Sequence, residues 1–199
     1  MLGALEEWTV LKKVVEEAVV SYPRQFNSYR DTSKKYDVEE GYKILKRAKL
    51  VNAEYQLYEE LVSPHHVFTK NGRHALIHAV TKLSKENAPL KIAIYTCGVY
   101  IFLIGCRSKC LFLVDTHPIG ADLGGNGNGI LKVYPADDYD SPYQMCAWIW
   151  KRLQISGVQS KCMQSLLILG EMSRYNFLYS RTSFIATIGM ELAFDFPCN

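Results

Sequence analysis

An apolar run at residues 111–114 is followed at once by Asp115 and, one residue later, by His117. The run predicts a β-strand, and residues two apart on a strand point to the same face. We therefore expect Asp115 and His117 to project together at the strand's end. A carboxylate beside an imidazole raises its basicity and fixes its tautomer, as for a general base with its orienting group. The alternative is an Asp that caps the turn before Pro118 and a His at the surface.

A covalent mechanism also needs a nucleophile, and the sequence has no cysteine before Cys97. If a hairpin turn is centred near Arg107, Cys97 lies opposite Thr116 and within reach of His117. A Cys97–His117 dyad is then allowed by geometry. A strand cysteine, however, lacks the helix N-terminus that lowers the pKa of a thiol, and cysteines are among the most commonly buried residues. A structural role for Cys97 is therefore the favoured interpretation.

The elements that must position this pair lie in the second half of the chain. A helix is predicted from Ser141, its N-cap, with Pro142 as its first residue, to an end at Gly157. Apolar runs predict the strands. They lie at residues 92–94 and 99–104, with an irregularity at Cys97-Gly98 between them, at 111–114, at 130–134 and at about 164–169, with further strand character at 174–196.

Two segments near the pair offer candidate contacts for a partner. Trp148 falls on the predicted buried face of the helix, whereas Trp150 lies on another face and is a candidate contact, although core positions for both are favoured. Five glycines lie within residues 120–129. This segment lacks the Gly-Lys-Ser/Thr ending of a phosphate-binding loop, so a flexible loop is favoured. Gly124 and Asn126 are its candidate partner contacts.

The first half of the chain is predicted to be mostly helical. Helices are expected over residues 4–20, from Asp37 towards Leu61 in one piece or two, and over 73–84, with Asp37 and Glu40 at the spacing of a capping box. Helices first and strands later predict an α+β fold, with an antiparallel sheet flanked by helices. We expect one domain over residues 1–170, with a helical part at 1–89 and a sheet part at 90–170, and a C-terminal strand extension at 171–199.

Composition excludes several classes of function. The chain has 199 residues and a net charge of +3, which leaves no basic footprint for nucleic acid. The longest apolar stretch, residues 99–104, is too short to span a bilayer, and the N-terminus has no basic region of a signal peptide. Six cysteines without a metal-binding spacing are interpreted as reduced thiols of an intracellular protein, cytoplasmic or nuclear.

Four histidines lie close together in the sequence and are candidate zinc ligands. His74 and His78 would share a helix face, near His65 and His66, but the Glu of a His-Glu-x-x-His motif is missing. Surface or capping histidines are therefore favoured over a zinc site. No metal and no cofactor is predicted.

The order of these elements, together with the Asp115-x-His117 strand end, resembles the papain-like cysteine peptidases of the herpesvirus tegument deubiquitinase type. The resemblance covers roughly residues 90–170. It implies a papain-like fold, His117 as general base, Asp115 as its orienting residue, and ubiquitin or a ubiquitin-like protein as partner. The matching segments are residues 99–104, 111–117, the loop 118–129, 129–134 and the helix from Ser141.

The family pattern places a cysteine nucleophile on a helix N-terminus well before the Asp-x-His, and this sequence has none there. The leading hypothesis is therefore a degenerate peptidase-like module, a pseudoenzyme that binds ubiquitin, a ubiquitin-like protein or another protein without cleaving it. One alternative is an active isopeptidase that uses His117 and Asp115 with Cys97 or an upstream segment as nucleophile. Another is an assembly protein that pairs sheet edges with a second copy of itself or with other chains.

Overall fold

A computed structural model describes residues 9, 12–13, 27–31, 33–51, 55–59, 65–85, 90–107 and 110–171. The chain divides into two compact units, residues 1–57 with 170–199 and residues 58–169. Most of the predicted helix 4–20 and all of the predicted strands at 174–196 lie outside the described residues. The division into a domain 1–170 and an extension 171–199 therefore stays a prediction.

Helix α1 (Val38–Arg47) in the first unit begins as the sequence predicts. The Asp37 carboxylate accepts the Glu40 backbone N–H at 2.8 Å, and the Glu40 carboxylate accepts the Asp37 N–H at 3.2 Å, which completes the capping box. The prediction that this helix runs towards Leu61 was wrong. It stops before Lys49, which has a left-handed φ of 58°, and strand β1 (Tyr55–Glu59), which reaches into the second unit, follows. Its two tyrosines, a residue type enriched in strands, favour a strand there.

The second unit holds an antiparallel sheet and two helices, which confirms the α+β prediction. The elements after β1 are β2 (His65–His66), α2 (Lys70–Lys85), β3 (Leu90–Cys97), β4 (Tyr100–Arg107), β5 (Cys110–Asp115), a 3-10 turn (Ala121–Leu123), β6 (Ile130–Pro135), α3 (Ser141–Ile155) and β7 (Met163–Glu171). The sheet order is β1-β7-β3-β4-β5-β6, and β2 pairs with β7. Helices α1 and α2 keep the described part of residues 1–89 mostly helical, although β1 and β2 interrupt it.

The core of the second unit lies between one face of this sheet and the two helices α2 and α3. All six residues of β5 are buried, which explains why its sequence is an unbroken apolar run. Truncation of one such buried side chain to alanine typically costs about 2–5 kcal/mol. The core residues from the strands are Tyr95, Cys97, Phe102, Ile104, Leu111 and Leu113, and those from the helices include Leu76, Val80, Met145, Ile149 and Leu153.

Helix α3 carries one residue of the candidate site, so its ends matter. It starts at Ser141, but its N-cap is Asp140 and not Ser141 as predicted. Ser141 instead is fully buried, and its hydroxyl lies 3.4 Å from the Asp138 carboxylate. The helix ends before Gly157, whose φ of 73° suits glycine, as predicted. None of the described helices combines the length and apolarity needed to cross a lipid bilayer.

Candidate functional site

The structure brings Asp115 and His117 together at the end of β5. The Asp115 side chain is fully buried, and its Oδ1 accepts both the His117 backbone N–H at 2.9 Å and the ring Nδ1 at 2.6 Å. The carboxylate thus caps the turn and also faces the imidazole, so the geometry agrees with both interpretations of the sequence. The catalytic role of the two residues stays a prediction.

The hydrogen bond has a consequence for the tautomer of a neutral His117. Beside an ionised carboxylate, which can only accept, Nδ1 is the donor and Nε2 is left as the acceptor of the ring. A base held in one tautomer by a carboxylate is the arrangement used in nucleophilic catalysis. The His117 side chain keeps 18% of its surface exposed. Asp115 and His117 therefore have the geometry of an orienting residue and a base.

Arg152, which is not among the residues predicted from the sequence, completes the site from helix α3. Its Nε donates to Asp115 Oδ2 at 3.0 Å, and the two residues are 8% and 0% exposed. Its Nη1 donates to the Ser156 hydroxyl. The signal was present, because Arg152 falls at helical spacing within the apolar stripe of Met145, Ile149 and Leu153. A buried arginine requires a carboxylate partner, and Asp115 is that partner.

Aromatic rings enclose the imidazole of His117 and the guanidinium of Arg152. The centroids of the Tyr100 and His117 rings are 5.1 Å apart. The guanidinium carbon of Arg152 lies 5.2 Å from the Tyr100 centroid. Phe102 approaches His117 edge-on at 6.4 Å and makes a second edge contact with Trp148 at 6.4 Å. These contacts restrict rotation of both polar side chains.

The charge of Arg152 changes what Asp115 can do electrostatically. In a catalytic triad, an ionised carboxylate stabilises the protonated imidazole that forms during the reaction. Here the buried guanidinium neutralises the carboxylate charge at 3.0 Å. Low polarisability of the surroundings makes this compensation strong. The Asp115 carboxylate thus faces a cation on one side and the His117 ring on the other.

Cys97 does not meet His117, so the predicted register was wrong. A tight hairpin turns at Gly98, with φ 63°, and Cys97 ends β3 opposite Tyr100 on β4. The β4–β5 register, which pairs Leu103 with Val114, continues to bring Tyr100 opposite His117. Cys97 and His117 are thus two strand spacings apart, about 9–10 Å. The register prediction was wrong because it placed Cys97 on the strand that pairs with β5, whereas Cys97 lies on β3.

The environment of Cys97 also makes it a poor nucleophile. Burial, aided by the neighbouring Cys162 thiol, raises its pKa to about 12. Burial likewise raises the pKa of Cys106 and of Cys146. Cys106 and Cys110 lie at the far ends of β4 and β5 from His117, six or seven residues away, which is about 20 Å along a strand. None of the five cysteines among the described residues is paired in a disulfide.

Hydrogen bonds shape the glycine loop beyond His117, whose predicted flexibility stays a prediction. Ile119 is fully buried, its N–H donates to Asn128 O at 3.0 Å, and its carbonyl accepts the Gly127 N–H at 2.8 Å. Helix α3 fastens the loop from outside, since Trp148 Nε1 donates to Leu123 O at 3.2 Å and Lys151 Nζ to Asp122 O at 2.9 Å. The loop therefore has a defined shape.

The three candidate partner contacts differ in exposure. Gly124 and Asn126 are exposed on the loop, and their role stays a prediction. Trp150 is 6% exposed, packed between the Arg73 guanidinium at 5.1 Å and the Tyr143 ring at 6.4 Å, so its selection as an exposed contact was wrong. Helix α2 packs on this face of α3 and covers the ring. Trp148, expected in the core, is half-buried instead.

The predicted histidine positions form no metal site in the part of the chain that the structure describes. His66 Nδ1 lies 2.8 Å from the Lys161 carbonyl, which ties β2 to the turn before β7. His74 and His78 are exposed on helix α2.

Comparison with known proteins gives one distant likeness. No protein-family model matches the chain, and no curated protein matches it. Among solved structures, the chain is similar to the ubiquitin-specific protease encoded by murine cytomegalovirus tegument protein M48, solved in complex with a ubiquitin-based suicide substrate. The identity is 12%, the TM-score is 0.32, and the match covers 67% of this chain and 51% of the viral one. The chain thus spans about half of that structure.

Proposed function

We propose that this chain is a degenerate cysteine-peptidase-like module of the deubiquitinase type, which binds a protein partner at the His117 end of its sheet and does not cleave it. Ubiquitin, or a ubiquitin-like protein, is the partner to test first, because the Asp-x-His pattern resembles that family. The module is expected to act inside the cell. Its five described cysteines, which form no disulfides with one another, suit a reducing compartment.

The observation that carries the proposal is the buried Asp115 carboxylate, shared between His117 at 2.6 Å and Arg152 at 3.0 Å. Such an arrangement costs desolvation free energy and is a weak source of stability. It does, however, hold an imidazole in one orientation at the edge of a sheet. In this degenerate site, the orientation of His117 is the feature of a peptidase that we propose is retained.

Two features argue for binding without cleavage. The thiol nearest to His117 along the sheet, Cys97, has a pKa raised to about 12 and lies in the core. Arg152 also neutralises the carboxylate that a thiolate–imidazolium pair would rely on. A protein partner would instead meet His117 and the ordered loop with exposed Gly124 and Asn126. A loop of fixed shape loses little conformational freedom on binding.

A probe with a thiol-reactive group at the C-terminus of ubiquitin tests the absence of cleavage. We expect the full chain to form no covalent adduct with it, while an active thiol isopeptidase, mixed in as an internal standard, is labelled in the same tube. An adduct that disappears in the His117→Ala variant would instead establish the active-enzyme alternative.

Binding itself is tested with unmodified ubiquitin by titration calorimetry. We expect Asn126→Arg to weaken binding at least tenfold by placing bulk and charge on the loop. Gln144→Arg adds the same side chain at an exposed position in the first turn of α3, two helical turns before Arg152, and should bind like the unaltered chain. Equal affinity of the two variants would rule out the loop as the contact. No ubiquitin binding, together with concentration-dependent self-association, would favour the assembly alternative.

A further inference from the structure

We propose that Arg152 is a positioning residue: by holding the Asp115 carboxylate in one orientation, as an acceptor towards the ring, it keeps the proton of His117 on Nδ1. The inference rests on the proposed function only in taking His117 as the residue that a partner meets. It concerns which nitrogen of His117 offers a donor and which an acceptor.

The hydrogen bonds of Asp115 leave little freedom for its carboxylate. Oδ1 accepts from the His117 backbone N–H at 2.9 Å and from the ring at 2.6 Å, while Oδ2 accepts from Arg152 Nε at 3.0 Å. A rotation of the carboxylate would break all of these bonds at once. Because Arg152 holds one carboxylate oxygen, the other oxygen is held facing His117.

Arg152 is itself held firmly. Its Nη1 donates to the Ser156 hydroxyl, and that hydroxyl donates to the Arg152 carbonyl at 2.9 Å. The guanidinium lies over the Tyr100 ring, which also contacts His117. A flexible arginine would lose rotamer entropy on forming the ion pair, whereas this one is braced by its own helix and by β4.

The charge of Arg152 determines the protonation of the neighbouring groups. A fully buried carboxylate without a cation takes up a proton more readily, because burial disfavours the charged form. A protonated Asp115 would become a donor towards His117, and the neutral ring would then carry its proton on Nε2. With Arg152 in place, Asp115 accepts, and Nε2 presents an acceptor instead.

The test is the pattern of imidazole nitrogen signals in a long-range proton–nitrogen NMR spectrum of the full chain, with His117→Gln used to assign the ring. For the unaltered chain we expect a protonated Nδ1 and an unprotonated Nε2. Arg152→Gln should reverse the pattern or give a mixture. Arg152→Lys keeps the charge and should keep the pattern. Lys151→Gln removes one charge from the exposed neighbour that binds the Asp122 carbonyl, and should leave His117 unchanged.

A folded Arg152→Gln chain with the unaltered pattern overturns the inference, as does an equal change in Lys151→Gln. If Arg152→Gln does not fold, the isosteric Asp115→Asn variant decides. Arginine has only donors, so it should take the amide oxygen and turn the NH₂ group towards His117, moving the ring proton to Nε2. Retention of the Nδ1 proton in Asp115→Asn contradicts the inference. These results do not depend on whether ubiquitin binds.

Discussion

Two buried polar clusters lie on the same face of the sheet, and they differ in charge. At the end of β5, the charged cluster consists of Asp115, Arg152 and His117. Near the middle of the sheet, a neutral network links the Tyr95 hydroxyl to Gln164 Oε1 at 2.8 Å and Gln164 Nε2 to the Gly72 carbonyl at 2.7 Å.

The neutral network has an evident structural purpose. It ties the first turn of α2 to the strands β3 and β7, and each of its bonds satisfies a buried polar group. The charged cluster gains little stability relative to apolar residues of the same size, because desolvation offsets the attraction. We infer that the neutral network secures the fold, whereas the charged cluster orients His117. Variants of the two clusters should separate these two roles.

The largest expected effect comes from removing one charge of the buried pair. Arg152→Met should lower the free energy of unfolding by about 3–5 kcal/mol, because it leaves the Asp115 carboxylate unpaired. Urea denaturation measures the loss. The double variant Asp115→Leu/Arg152→Met should recover most of it, and a double variant as unstable as the single one would show that the pair is essential to the fold.

Breaking the neutral network should have a smaller effect. Gln164→Leu leaves the Tyr95 hydroxyl and the Gly72 carbonyl without their partner, which costs about 1–3 kcal/mol. Gln154→Leu, at an exposed position of α3, is the matched control and should change the urea midpoint little. A loss as large as that of Arg152→Met would contradict the ranking of the two clusters.

Alkaline pH should act on the neutral network through Tyr95. Burial raises the pKa of Tyr95 well above its usual value of 10.0. Above pH 10 the unfolded chain therefore loses this proton while the folded chain keeps it, so stability falls as the pH rises. Tyr95→Phe should have a lower stability at neutral pH but a flatter alkaline profile. Tyr139→Phe, at a 95% exposed position, should keep the original slope.

The smallest effect is expected in the glycine loop. Gly124 has a φ of 81° and nothing near the site of an added Cβ, so Gly124→Ala meets only backbone strain. We expect a loss of about 1 kcal/mol in thermal or urea unfolding, with the nitrogen pattern of His117 unchanged. Gln144→Ala, an exposed control, should stay within about 0.5 kcal/mol of the unaltered chain. A changed His117 pattern would mean that the loop and the charged cluster are coupled.

Local sequence signals predicted much of the sheet half. The apolar runs located β5 and β6, the Asp-x-His spacing brought Asp115 and His117 together, and Asp37 with Glu40 marked the start of α1. Each of these depends on neighbours within a few residues. The period of a strand or the spacing of a cap is therefore enough to predict it.

Other features needed information that no local pattern holds. Because the chain turns at Gly98, Cys97 lies on β3 and not on the strand that pairs with β5. The position of a single turn is enough to change which residues pair. Arg152 and Asp115 are 37 residues apart, so their contact depends on how α3 crosses the sheet. Trp150 is buried because α2 packs on it, which the amphipathic pattern of α3 alone does not reveal.

Protein binding and the absence of cleavage can be tested together, by native mass spectrometry of the full chain with the electrophilic ubiquitin probe. We expect a one-to-one complex under native conditions that separates completely into unmodified components on denaturation. A covalent adduct that survives denaturation would show an active nucleophile, and the absence of any complex would contradict ubiquitin binding.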